Sequence, residues 1–573
     1  MTWLGLLIVG GALALSVAVA QSVPSVQPTD AHGPASAMSM GIQLPTTLAD
    51  WSKGARRYTG LGTYHRQVST RSPEAQRYFD QGMRFLWGFN HDESSRSFAR
   101  ALQLDPSCAM CAWGLALTVG PNYNVPMLAE PRAKIALEAT KRAQSLAAAA
   151  TPVEQALIAT LAQRYPNARA LDPQSTGPIL SAHASAMRDV ARLYPDDLDV
   201  QTLYAESMMN IHAWKLWNPD GTPADGTMEI IATLENVLTR DPMHMGALHY
   251  YVHAVEASPH PEKGLAAAAR LRSLAPAAGH LVHMPAHILQ RVGRYEEAAQ
   301  ANRMGAAADV AYLASTSPLD YYPTMYVSHN YQFLAFAAAA EGREAETLDA
   351  VRRSRASVSD DSLHEMPGTD WYVAEIYTAP VRFGLWDALL AAAPPAPGLP
   401  GLSGGYLYAT TVALAAKNRH AEARDRLAQL DALMADLPAD VPGGQNALRD
   451  VLAVARRVAA ARISSAEGRG EDALRDLREA VRLEDELAYD EPADWFFPVR
   501  HLLGAELMRS GKAAEAELTY REDLKRNPGN GWALYGLMQA LKAEGRSTDA
   551  RAAEAEFRKA WRYATISIGA SAF

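Results

Sequence analysis

The chain has 573 residues, 48 per cent of them hydrophobic, and a formal charge of −9 spread along its length. That is enough for roughly two to four domains or one long repeat array, and the lack of a basic stripe excludes the electrostatic footprint of a nucleic-acid binder. Alanine is abundant and the Val/Ile/Thr alternation of strands is missing, so an all-α class is expected.

Residues 1–20, "MTWLGLLIVGGALALSVAVA", form one apolar run ending in Ala18-Val19-Ala20, the small-x-small form of a signal-peptidase site before Gln21. Export to the periplasm or outside the cell is the expectation. No Lys or Arg precedes the run, which leaves an uncleaved anchor open as the one route to a membrane. Residues 21–50 are rich in Pro, Ser and Ala and read as a flexible spacer.

At 77–107 stands "RYFDQGMRFLWGFNHDESSRSFARALQLDPS". Its Tyr78, Gly82, Phe85, Phe98, Ala101 and Pro106 fall where the tetratricopeptide repeat (TPR) family places its aromatic, small and proline residues, so the segment resembles a TPR. Gly504, Gly511, Ala514, Tyr520 and Pro528 repeat the frame near the other end. The resemblance implies a TPR-like α-solenoid, helix-turn-helix repeats in a superhelix, in which stacking buries the faces that one helix pair leaves bare.

Only two cysteines occur, Cys108 and Cys111 in "SCAMCAWG", and in an oxidising compartment they are expected to close on each other as a disulfide. Haem attachment is excluded, since Ala112 stands where it requires histidine. "PNYNVPM" at 121–127 exceeds an ordinary repeat turn and offers Tyr123 as a substrate contact. "LYAESMMNIHAWKLWNPDG" at 203–221 offers Glu206, Asn210, His212 and Trp214, a mix of apolar wall and polar tip suited to a small-molecule pocket.

Seven of the sixteen histidines lie between His244 and His287. "HYYVHAVEAS" pairs His249 with His253, and "HLVHMPAHIL" pairs His283 with His287, 34 residues later at both members. In the TPR frame these are the fifth and ninth places of the first helix in successive units; His280 and His329 take the second place of theirs, and Glu256 the twelfth. In the TPR family such places line the concave surface, so six histidines and Glu256 are expected to face one groove. Residues four apart lie about 6 Å apart along a helix, close enough for both imidazoles of a pair to reach one ion.

A transition metal is therefore the expected cofactor. All-imidazole sites suit copper, zinc, iron or nickel, and the nearby Met243, Met245, Met284 and Met325 favour copper slightly over zinc. A mononuclear three-histidine site with an open position is the simpler model; a dinuclear one with three imidazoles per ion, as in type 3 copper proteins, rests on analogy. Glu256 or Glu206 would act as general base or outer-shell partner. Glu256 does not sit between two histidines as in H-E-x-x-H, which argues against a zincin protease. "STSPLDYYPTMYVSHNY" at 315–331 is a second long link, with Tyr321 and Tyr322 as candidate lid residues.

"LLAAAPPAPGLPGLSGG" at 389–405 is the clearest internal break. It sets an N-terminal array, 51–390, apart from a C-terminal array, 406–573, with residues 391–405 as the linker. The stretches "LDPSCAMCAWGLALTVGPNYN", "HYYVHAVEAS", "AGHLVHMPAHILQRVGRY" and "SHNYQFLAFAAAAEGR" together resemble a group of exported bacterial TPR proteins; that resemblance implies the fold and brings no activity. The functional expectation is a metal-dependent oxidoreductase or hydrolase acting on a small organic substrate in the groove. The alternatives are a peptide- or protein-binding scaffold and a metal-sequestering protein.

Overall fold

The computed structural model describes residues 44–171, 176–316 and 322–573. The expected leader, most of the expected spacer and Tyr321 lie outside them. The described chain is helical, apart from one pair of two-residue strands, Pro442–Gly443 and Asn446–Ala447. Among the described residues no helix is long and apolar enough to cross a membrane.

Consecutive helices pack as hairpins: Pro73–Trp87 on His91–Leu104, Ser328–Ala340 on Glu344–Ala356, Pro400–Ala416 on His420–Asp436, Leu448–Ala466 on Gly470–Glu486 and Gly531–Ala543 on Ser547–Ala560. Their stacking makes the molecule a TPR-like α-solenoid. Small residues set the spacing within a unit: a Cβ on Gly82 or Gly114 would lie 2.7 Å or 2.5 Å from the Phe98 ring.

Each hairpin turns through one residue in the left-handed region, which glycine enters without a Cβ penalty. Gly293, Gly342 and Gly511 do so with φ between 70° and 75°. Asn418 takes the same place at φ 60°, and asparagine tolerates that region. In the first hairpin the place falls to Phe89, at φ 54°. A bulky residue there is strained, and such strain persists where the surroundings enforce it.

The C-terminal helices lie back against the histidine-bearing units. Trp532 Nε1 donates to Ala339 O at 2.8 Å, and Thr565 N donates to Gly342 O at 3.0 Å. Gly293 runs so near Pro528 that a Cβ would stand 2.1 Å from its carbonyl oxygen. One hydrophobic core accordingly joins Phe79, Val252 and Phe333 to Phe496 and Trp532. The expected 391–405 break is shorter than its composition implies, because the Pro400–Ala416 helix starts inside it. Proline at a first helical turn gives up only an N–H that would be unpaired anyway, and Gly404 makes room for Leu452.

Candidate metal centre

The helix Met245–Glu256 is capped by His244, whose Nδ1 accepts the Ala247 N–H at 3.1 Å, so that histidine is spent on structure. One turn apart on the same helix, the His249 and His253 rings lie 4.9 Å centre to centre. The equivalent helix of the next unit comes in two pieces, Gly279–His283 and Pro285–Arg291. Pro285 cannot donate to the helical ladder, and His287 N bonds Met284 O at 3.2 Å across the kink. The kink keeps the His283 and His287 rings 4.6 Å apart.

Each pair gains a third imidazole from the following unit. His249, His253 and His280 form one set and His283, His287 and His329 the other, with the nitrogens of each set within 4.8 Å of one another. The two triads are one construction repeated: a four-spaced pair plus the second-place histidine of the next inner helix. His329 follows His280 by 49 residues because the long link 315–331 intervenes. That link ends in a π-helical turn, Pro323–Val327, running into Ser328–Ala340; such turns recur at functional sites. The two three-imidazole sets adjoin, with His253 and His287 5.6 Å apart between them.

Four of the six outer ring nitrogens face acceptors. Trp87 O accepts from His249 Nδ1 at 2.6 Å, and Asn302 Oδ1 lies 2.6 Å from His283 Nδ1. Glu256 takes one imidazole of each triad, His253 Nδ1 at 2.9 Å and His287 Nδ1 at 2.6 Å. Glu491 also reaches His287 Nδ1. A carbonyl can only accept, so His249 Nδ1 carries the proton and its Nε2 presents a lone pair. The Nε2 atoms converge: His249 on His280 at 3.0 Å, His283 on His287 at 2.7 Å. Nitrogens sharing one ion at zinc-type bond lengths stand about 3.3 Å apart. Outer nitrogens tied to carboxylates and carbonyls, with inner ones free, are how ligating histidines are oriented in metal sites.

Burial, with the neighbouring imidazoles second, pushes His280 and His283 well below the ordinary histidine range; burial and neighbouring His287 do the same to His329, and burial and neighbouring His253 to His249. These four are neutral at neutral pH, the form a metal requires. His287 is the exception: burial would push it down, but Glu491 and Glu256 outweigh it and hold it up at about 10, so it must give up a proton to bind an ion. Burial would push the Glu256 carboxyl up, but His253 and His287 outweigh it and hold it down at about 2. An ionised carboxylate with both oxygens engaged orients ligands and is not placed to shuttle protons. Of the two roles expected for Glu256, the geometry fits the outer-shell one.

A phenylalanine walls each triad. Phe89 lies 4.6 Å from the His249 ring and stacks on His253 and His280 at 5.7 Å and 5.8 Å. Phe333 lies 4.8 Å, 4.5 Å and 4.8 Å from His283, His287 and His329. Trp214, also at positive φ, and Tyr123 close the far side of His253, 6.0 Å and 5.2 Å away. Phe89 had a signal in sequence, a bulky residue at the turn-glycine place. Glu491, Asn302 and the Trp87 carbonyl had none, since no local pattern distinguishes them.

Several expected site residues stand elsewhere. Glu206 joins neither triad: it accepts the Asn210 amide at 2.6 Å, and Arg164 is its nearby charge. His212 ends a short 3-10 turn and belongs to no ligating group among the described residues. Met243 is half-exposed and the Met245 methyl packs beside Gly62, so neither supports copper as a ligand. His501, a groove place in the repeat frame, is accounted for by Arg382 and Asp523 at 2.7 Å and 2.8 Å. Cys108 and Cys111 are disulfide-bonded. The imidazoles do not line an open groove, either: five of the six are buried, and the chain around Glu491 covers them.

Tyr322 is buried and donates to Asp309 Oδ1 at 2.8 Å, with Asn330 on the other oxygen. Burial pushes Asp309 up to about 7, against both hydrogen bonds. A folded pKa above the unfolded one contributes stability that is complete below about pH 4 and lost as pH rises through about 7. Wild type should therefore lose more stability than Asp309→Asn between pH 5 and pH 8, by at most about 4 kcal/mol. Denaturant midpoints at the two pH values measure the difference, and equal losses would contradict it.

No protein-family model matches the chain, and no curated protein matches it in sequence. Solved structures similar to it include a human IFIT1 dimer with m7Gppp-AAAA, 11% identical over 80% of this chain and 90% of that one, TM-score 0.32. The Cut9–Hcn1 hetero-tetramer of APC/C is 13% identical over 84% and 79%, TM-score 0.32. Yeast Tom70 is 12% identical over 84% and 96%, TM-score 0.29.

Proposed function

We propose that the chain is an exported metalloprotein whose two histidine triads hold a dinuclear transition-metal centre, acting as a metal-dependent enzyme on a small organic substrate. The observation that carries this is the gathering of six imidazoles into two triads whose nitrogens lie within 4.8 Å of one another, with acceptors facing four of the outer nitrogens. The apolar leader and the cysteine pair support an exported, periplasmic or secreted location.

Copper is the preferred metal, zinc the second. Both ligand sets consist of imidazoles alone, and the two carboxylates engage outer nitrogens. Two adjacent divalent ions would repel with four times the energy of two monovalent ones at the same separation, and copper, unlike zinc, is stable as a monovalent ion in protein sites. Iron is the third choice: His253, Glu256 and His287 also gather within 4.8 Å of one another as two imidazoles and a carboxylate. A redox-capable pair favours an oxidoreductase over a hydrolase. Burial of the imidazoles weighs against a peptide clamp.

The test is elemental analysis of protein made without a histidine tag and loaded with copper or zinc. Two ions per chain are expected, with copper retained against a chelator that strips zinc; no stoichiometric metal would end the proposal. Oxygen uptake with chromogenic phenols, against hydrolysis of an ester panel, then separates oxidoreductase from hydrolase and both from a metal store.

A further inference from the structure

A cavity of about 290 Å³ opens beside the first triad. Its walls include Tyr58, Leu61, Phe85, Tyr312, Tyr322 and the His280 imidazole. None of the lining residues is Lys, Arg, Asp or Glu. An apolar cavity of about 150 Å³ is enough to hold benzene, so this one has room for a substituted ring.

His280 connects the two features. Its Nε2 faces His249 Nε2 at 3.0 Å, while its Nδ1 is buried with no hydrogen-bond partner. It alone of the five buried imidazoles has no acceptor holding its outer nitrogen. An unpaired buried ring nitrogen is costly, and because His280 lines the cavity, a turn of its ring would bring that nitrogen to a ligand hydroxyl.

The charges behind the wall decide what class of molecule fits. Tyr312 and Tyr322 hydroxyls donate to Glu93 at 3.3 Å and Asp309 at 2.8 Å. Carboxylates at the back and a dry apolar lining disfavour an anion. A cation fares no better, because Glu93 is already paired with Arg96 and the Asp309 carboxylate already takes the Tyr322 and Asn330 hydrogen bonds. Aromatic walls with a few polar tips suit a flat, uncharged ring.

We propose that this cavity is the substrate pocket of the centre and that it takes a small, uncharged, monocyclic aromatic molecule. The role as substrate pocket rests on the metal-centre reading; the cavity and its selectivity do not. The probe is para-ethylphenol, titrated by calorimetry into the full chain, with para-hydroxybenzoate as the anionic control and metal content measured on the same sample. Saturable one-site binding is expected, at least about ten-fold tighter than the anion. Ala308→Trp, on a half-buried wall of the Tyr295–Leu313 helix, should weaken binding at least ten-fold with metal content unchanged; Ala311→Phe, at the exposed mouth, serves if the first variant does not fold. Two ions per chain with no phenol binding, equal binding of the anion, or indifference to both wall variants would overturn the pocket and leave the centre standing. Phenol binding that is sensitive to the wall variants in a protein that takes up no metal would keep the pocket and remove the centre.

Discussion

Protein carrying His249→Ala and His253→Ala, saturated with copper, should hold one ion per chain where the wild type holds two. The second triad keeps its own supports in the variant: His283 remains on Asn302 and His287 on Glu256 and Glu491. His280, left alone of its set, cannot retain an ion by itself. The loss should be confined to one site, and the mirror variant, His283→Ala with His287→Ala, should lose the other. Metal-to-protein ratios after chelator washing, with circular dichroism to confirm the fold, read this directly. Two ions retained would show that the triads are misassigned; both ions lost from a folded variant would show a single shared site in place of two equivalent ones.

Glu256→Gln should weaken metal retention roughly 10- to 100-fold, the usual effect of removing an outer-shell partner. One Glu256 oxygen hydrogen-bonds His253 and the other lies 2.6 Å from His287 Nδ1 as an ion pair, so a single carboxylate steadies one ligand of each triad. Glutamine keeps one acceptor oxygen and turns the other contact into two opposed N–H groups, which unseats one imidazole. Glu206→Gln is the matched control: its carboxylate is held by Asn210 and reaches neither triad. Competition with a chromogenic chelator should separate the two variants. Equal effects would refute the orienting role of Glu256, and no effect from either would mean that the Nδ1 contacts do not matter to the metal.

The histidine pairs were legible because a repeat array makes its geometry local. The spacing of four puts two rings on one face, and the step of 34 carries that face into the next unit. Placing His280 and His329 needed the repeat frame as well, because their separation of 49 hides the equivalence that the 34-residue step shows openly. Glu206 misled because closeness in sequence to aromatic and amide residues says nothing about which way a helix face turns; here it turns to Arg164. The proline-glycine stretch at 391–405 misled in another way: composition marks where a helix can begin as readily as where one cannot continue.

Composition, helical periodicity and the repeat step, all properties of short stretches, pointed by themselves to an all-α array with two equivalent histidine pairs on its inner helices. Tertiary structure alone decided that the sets adjoin, that Glu491 arrives from some 200 residues away when the C-terminal helices lie back on the array, and that Phe89 is forced into a left-handed turn to wall off the first triad. The physical reason is range. Helix and repeat follow from bonds and contacts a few residues apart, whereas the second carboxylate, the dry walls and the cavity beside His280 come from the packing of distant segments, which no local pattern encodes.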